Sequence, residues 1–118
     1  MILLALNELN LDFIKGYISE GKLSNFKKLL HNGIVSTISE TKYELLEPWI
    51  QWTTIQTGKS YDEHKVFRLG DMVDRSDLNQ IFEDLEELGL SIGTISPFNA
   101  DNRLKKSKFF IPDPWTQT

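Results

Sequence analysis

Pro48 and Gly58 bracket the one segment whose two ends can be read with little freedom. Proline is tolerated in a helix only in the first turn, so Pro48 marks a helix start, with Glu47 at its electropositive end. Gly58 adopts cheaply the left-handed conformation that stops a helix. Trp49-Ile50-Gln51-Trp52-Thr53-Thr54-Ile55-Gln56-Thr57 between them is therefore predicted to be helical, and the chain runs on through Asp62-Glu63-His64 to Leu69-Gly70-Asp71. A helix start preceded by an acid and followed by hydroxyls is a place where an anion, a metal or a nucleophile could sit.

The rest of the sequence alternates between two periodicities. Ile2-Leu3-Leu4-Ala5-Leu6 is a continuous apolar run ending at Asn7-Glu8, the pattern of a strand covered on both faces. Leu11, Phe13, Ile14, Tyr17 and Ile18 recur at helical spacing before Gly21, and Ser24 is placed to cap a second helix carrying Phe26, Leu29 and Leu30. Asn32-Gly33 closes that helix, and His31 in its last turn complements the helix dipole. Ile34 to Ser39 is β-branched and predicts a strand, whereas Glu40 to Leu46 has no clear period. Val66-Phe67-Arg68-Leu69 is a short apolar piece before the Gly70-Asp71 turn.

Ser76 is then expected to cap a helix whose Leu78, Ile81, Phe82, Leu85 and Leu88 face one side, with Gly89 at its end. Leu90 to Ile95 is the strand such a helix delivers, and Phe109-Phe110-Ile111 before Pro112 is a further short one. Strands alternating with helices predict an α/β layered fold with a mostly parallel sheet.

The 118 residues form a single expected domain, residues 1–118, long enough for a workable core. A net charge of -4 gives no global attraction to nucleic acid or to an anionic membrane, so neither is an expected partner. The basic run Arg103-Leu104-Lys105-Lys106-Ser107-Lys108 reads as a solvated connection. The absence of cysteine excludes disulfides, thiolate zinc sites and cysteine nucleophiles, and it fits a reducing, cytoplasmic setting. The apolar start is too short to span a bilayer and lacks the basic start and cleavage site of a signal peptide. Pro112-Asp113-Pro114-Trp115 near the end reads as an interruption, since a proline-bracketed aspartate normally leads into further structure and a tryptophan is costly on a frayed end.

Ligands of open α/β sheets gather outside the carboxyl ends of the strands. Asn7 and Glu8 follow the first predicted strand, Ser39 and Glu40 the second, and Ser96, Asn99 and Asp101 the one ending near Ile95. Glu8, Glu40 and Glu47 are hard oxygen ligands suited to a divalent cation, and the helix start suits an anionic ester; the plainer reading makes these acids caps and solvated loop residues. His64 offers a general base or metal ligand, against a structural hydrogen-bonding role. Thr53, Thr54 and Thr57 offer hydroxyl nucleophiles, although helical threonine mostly bonds back to the preceding turn. Trp49 and Trp52 read as core. No phosphate-binding glycine loop, Gly-x-Ser-x-Gly elbow or His-Glu-x-x-His pair occurs.

Taken in order, Leu4-Ala5-Leu6-Asn7-Glu8, Leu23-Ser24-Asn25-Phe26-Lys27-Lys28-Leu29, Asn32-Gly33, and Thr57-Gly58 followed six residues later by His64 resemble the start of the alkaline phosphatase superfamily, in particular its type I phosphodiesterase and nucleotide pyrophosphatase branch. The resemblance implies a three-layer αβα fold and a hydrolase of phosphate or related esters using two divalent cations, commonly zinc and alternatively manganese. Such a pair stabilises both the attacking and the leaving oxygen of an in-line displacement. By position or chemistry, Asn7 or Glu8 would be a metal ligand, and Glu47 would join the metal or anion site. This sequence has Asn7-Glu8 where the family has Asp-Gly, and the family's nucleophile position falls on Pro48. Glu47 or a threonine, Thr53, would then take the catalytic role beside His64.

His31 and His64 are the only histidines, so a two-cation site cannot be completed by this chain alone. The resemblance thus implies the N-terminal part of a larger hydrolase-like domain, an incomplete fold, inactive alone, whose substrate would be a small-molecule phosphoester once the site is complete. From a different class, the chain would be a non-catalytic α/β domain that binds a partner, or a second copy of itself, through an uncovered sheet edge.

Overall fold

The computed structural model describes residues 2–116 and divides into two compact units, Met1–Ile38 and Ser39–Thr118. The first unit holds two packed helices, α1 (Leu11–Ser19) and α2 (Ser24–His31). Asn10 starts α1, its side-chain oxygen accepting the N–H groups of Asp12 and Phe13 at 3.0 Å, and Ile14 is the residue that α1 buries. Ser24 does not cap α2: it is the first helical residue, and Leu23 before it takes the left-handed conformation with φ 52°. Lys28 and His31 do occupy the last turn of α2.

The strands expected at 2–6 and 34–39 do not form. Among the described residues of the first unit no strand offers them a ladder, and Ile2, Val35 and Ile38 are almost fully exposed. β-branched composition favours a pleated, half-buried surface, and without a neighbouring strand there is no such surface to join.

In the second unit a 3₁₀ turn at Tyr43–Leu45 leads into α3 (Pro48–Thr57), which begins and ends where proline and glycine dictate. Glu47 supplies the N-cap backbone and Gly58 closes the helix at φ 66°. Then come the single-turn α4 (Tyr61–His64), a 3₁₀ turn at Asp71–Asp74, α5 (Ile81–Glu87), and strands β1 (Gly93–Ile95) and β2 (Phe109–Ile111). α3 packs against both α4 and α5. Ile50, Val66, Met72, Leu78 and Phe82 are buried, with Val66, Met72 and Leu78 in mutual contact.

The expected helix capped by Ser76 starts four residues late. Gln80 is its N-cap, and the Glu83 carboxylate accepts the Gln80 N–H at 2.9 Å. The preceding carbonyls are engaged elsewhere: the Arg103 guanidinium donates to Arg75 O at 3.0 Å and to Leu78 O at 2.8 Å. The Gln80 side chain also pairs with both the N–H and the C=O of Asp101, at 3.0 Å each. Long-range partners therefore hold 76–80 out of the helix that its apolar period predicts. Arg103 also departs from the solvated reading of its basic run, being ion-paired to Glu83 at 3.1 Å and Asp101 at 3.3 Å.

β1 and β2 pair in parallel, Thr94 opposite Phe110, so the molecule is a mixed α/β protein with a two-stranded parallel sheet among the described residues. Phe110 meets Phe82 of α5 edge to face, with ring centroids 6.4 Å apart, which covers one sheet face. Ile95, Phe109 and Ile111 point to the other face and are exposed. No helix among the described residues is long and apolar enough to cross a membrane.

Candidate functional site

The stretch from Glu47 to His64 is built as one locked unit. Helix α3 ends at Gly58, the chain reverses, and Ser60 opens α4 with its N–H and hydroxyl both bonded to the Glu63 carboxylate, at 2.9 and 2.7 Å. Those two bonds hold the Glu63 carboxyl below its ordinary pKa. The Glu40 carboxylate accepts the N–H of Tyr61 at 2.9 Å, which ties the segment before α3 to the first residue of α4. One turn later His64 is delivered to the flank of α3 with no exposed surface.

Both ring nitrogens of His64 are occupied. The Val66 N–H donates to Nδ1 at 3.0 Å, which assigns the proton of the neutral ring to Nε2, 3.1 Å from Thr54 Oγ1. Thr54 in turn donates to Ile50 O at 3.3 Å. The relay Val66 to His64 to Thr54 to Ile50 runs in the direction opposite to that needed for a general base. A base must hold a lone pair towards the hydroxyl it activates, and here that nitrogen carries the proton. Burial pushes the His64 pKa down and the positive Arg75 adds to the effect, while Glu40 and Glu63 oppose it. The Arg75 guanidinium donates to the His64 carbonyl as well, and the Tyr61 ring stands edge-on to the imidazole at 5.6 Å.

Thr53 lies on the same helix and is equally enclosed, its Oγ1 donating to Trp49 O at 2.8 Å and accepting from Asn99 Nδ2 at 3.3 Å. Its hydroxyl is a back-bonded scaffold group with no open side for an ester. Trp49 is fixed through its indole N–H to Phe67 O at 2.9 Å. Glu47 is exposed at the helix start. Asn7 and Glu8 belong to the first unit, are exposed, and Glu8 takes a left-handed φ of 55°. Within the second unit the structure thus buries both Thr53, held by Asn99, and His64, held by Thr54, while Glu47 remains exposed at the start of α3.

Among the described residues no group of three or more His, Cys, Asp or Glu side chains is arranged to hold a metal ion. With His64 doubly bonded and Glu47 exposed, the described donor set does not by itself fit a two-cation centre. A depression of about 270 Å³ lies beside Glu40, Lys42, Glu44, Tyr61, Asp62 and Phe67. Half of its lining residues are charged, unlike the apolar wall with a few convergent polar groups that holds a small ligand.

The residue that sequence reasoning undervalued is Asn99. It is fully buried at a left-handed φ of 50°, a conformation that asparagine tolerates better than most residues. Its Nδ2 donates to Trp49 O at 2.9 Å and to Thr53, its Oδ1 accepts the Gly70 N–H at 2.7 Å, and its own N–H reaches the Asp113 carboxylate at 3.1 Å. Asp113 is buried as well, and also accepts from the Trp115 N–H at 2.7 Å and the Thr116 hydroxyl at 2.6 Å. Position after a predicted strand singled out Asn99, and the flanking prolines singled out Asp113, but neither signal specified which elements they would join.

Comparison with known proteins finds no matching family model, no matching curated protein and no matching solved structure.

Proposed function

We propose that this chain is the N-terminal, scaffold-forming part of a metal-dependent phosphoester or phosphodiester hydrolase-like protein of three-layer αβα, alkaline-phosphatase-like architecture, inactive by itself. The observation that carries this reading is the way His64 returns to α3. A helix closed by Thr57-Gly58 is followed by a histidine that packs back onto it through Thr54, so the last of the four pieces of sequence on which the resemblance rests is also one structural unit. The parallel pairing of β1 with β2, covered on one face by α5, is consistent with the layered architecture. In this reading His64 and Thr53 position α3 rather than react, and Glu47 with the helix start forms one wall of an anion site. A divalent cation, zinc or manganese, would need ligands beyond those of this chain; Asn7 or Glu8 in the first unit and, by itself, Glu47 in the second are the candidate donors. The bound cation would supply charge stabilisation at a phosphoryl oxygen.

Zinc and manganese titrations followed by calorimetry test the reading, with the wild-type chain beside Glu8→Ala and Glu47→Ala. Weak binding that falls in both variants is expected, together with no turnover of bis(p-nitrophenyl) phosphate by the chain alone. Unchanged affinity in both variants removes the metal role from these residues, and turnover by the unaided chain overturns its inactivity.

A second reading, a non-catalytic domain that binds a partner or a second copy of itself, is favoured by the uncovered sheet face of Ile95, Phe109 and Ile111. Parallel sheets are ordinarily covered on both faces. Concentration-dependent dimerisation in sedimentation equilibrium, abolished by Ile95→Lys, would support it, and a monomer at all concentrations would count against self-association.

A further inference from the structure

Asn32-Gly33 is the one Asn-Gly pair in the sequence, and it stands where helix α2 ends. We propose that Asn32 is a site of spontaneous deamidation, which converts it to aspartate and isoaspartate and so alters the C-terminus of α2 as the protein ages. The reaction needs the backbone nitrogen of the next residue to reach the side-chain carbonyl carbon, and three observations open that path. Asn32 is exposed to the water that completes the reaction. Gly33 has no side chain to shield its nitrogen, and even the space a Cβ would occupy has no atom within 4 Å. The Gly33 N–H is held only by a 3.3 Å bond to Leu30 O, in the last turn, where helices fray first.

In the first step the Gly33 nitrogen forms a bond to Asn32 Cγ, the Cγ–Nδ2 bond breaks, and the proton from the Gly33 nitrogen ends on the departing ammonia. The product is a five-membered succinimide. Water then adds to one of its two carbonyl carbons. Opening at Cγ gives aspartate, and opening at the backbone carbon gives isoaspartate, whose main chain runs through an extra methylene. The balance is amide plus water giving carboxylate plus ammonium, and it needs no other reactant.

Either product places a negative charge at the end of α2 where the unpaired carbonyls gather, which the helix dipole disfavours. Isoaspartate additionally lengthens the main chain beside Gly33, whose φ of 120° carries the chain out of the helix.

Asn25 is an internal control, because it lies within the first turns of the same helix and is followed by Phe26. The test incubates the intact chain in mildly alkaline buffer and maps it with trypsin. The peptide from Leu29 to Lys42 contains Asn32 and no other side-chain amide. It should gain the mass of OH in place of NH2 and become a substrate for isoaspartyl methyltransferase, while the Asn25 peptide stays unchanged. Asn32→Gln should abolish both signals. Because the last turn opens at little cost, the rate in the native chain should fall within about tenfold of that in urea. A larger slowing in the native state, or equal conversion at Asn25, overturns the proposal.

Discussion

His64 Nε2 lies 3.1 Å from Thr54 Oγ1 across the gap between α4 and α3, and it is this nitrogen that bears the proton, because Nδ1 already accepts from Val66. The same pair of residue types in the opposite tautomer would be the start of a nucleophilic relay. A single backbone N–H, that of Val66, makes the difference. It turns an apparent catalytic dyad into a clasp that fixes a one-turn helix to its neighbour.

The clasp requires a neutral ring, so it should be sensitive to acid. Burial holds the folded-state pKa of His64 below its ordinary 6.5. Between those two values the unfolded chain binds a proton that the folded chain does not. The contribution is therefore complete above about pH 6.5 and is lost as pH falls through the folded-state value. Protonation would also aim an N–H of the ring at the Val66 N–H. Thermal melts of wild type and His64→Gln from neutral to mildly acidic pH should diverge, with the steeper loss in wild type. Parallel curves would show that His64 titrates alike in both states.

Asn99 should be the most demanding polar position of the second unit. In Asn99→Asp an acceptor for Gly70 remains, but Trp49 O and Thr53 Oγ1 lose their donor and a carboxylate is enclosed near that of Asp113, at a cost of about 3 kcal/mol or more. Asn99→Ala loses all of these side-chain bonds and must also hold φ 50° without the tolerance of asparagine, but it encloses no charge, so it should cost about 2 kcal/mol. Urea unfolding gives the energies. Amide exchange at Gly70 separates the two variants, since protection should persist in the aspartate form and fall in the alanine form. Equal protection in both would remove Oδ1 as the partner of that amide.

What could be read beforehand was what short-range chemistry decides. Pro48 and Gly58 bound α3, and β2 occupies Phe109 to Ile111, because breakers and short apolar runs act locally. The start of α5 was misplaced because Arg103, more than twenty residues downstream, claims the carbonyls of Arg75 and Leu78. Residues 2–6 and 34–39 have the composition of strands but, among the described residues, no ladder. The candidate site was legible only as a set of residue types: His64 was identified as a base or a structural group, and the tautomer that separates these roles depends on how the chain turns at Lys65, which has a left-handed φ of 53°.

Arg103 should resist replacement by lysine. Its guanidinium reaches Glu83, Arg75 O and Leu78 O together, with Nε 3.3 Å from Asp101 in an ion contact that is not aligned as a hydrogen bond. These three side chains are only 14 to 19% exposed, so water cannot substitute freely. A lysine ammonium is a point donor and cannot span the fork, so Arg103→Lys should cost about 2 kcal/mol. Arg103→Met, which leaves two enclosed carboxylates unpaired, should cost about 3 kcal/mol or more. Urea midpoints at low and high salt measure both. A lysine variant within about 0.5 kcal/mol of wild type would show that charge alone, without the fork, sustains the cluster.

Two glycines offer a contrast between conformational and steric demand. At Gly58 an added Cβ would meet nothing within 4 Å, so the whole cost of Gly58→Ala comes from φ 66°. It should be about 1 kcal/mol, the left-handed penalty less the gain from a stiffer unfolded chain. At Gly93 there is no such φ, but a Cβ would lie 2.5 Å from the Phe109 ring. The atoms it meets are at the far end of a half-exposed side chain on the uncovered sheet face, and that ring can swing aside into solvent. Gly93→Ala should therefore be close to neutral in wild type, and equally so in a Phe109→Ala background, whereas Gly58→Ala keeps its cost in both. Urea unfolding of the four combinations decides the matter: a Gly93→Ala cost that disappears only when Phe109 is truncated would show that the ring is held over Gly93 rather than resting on it.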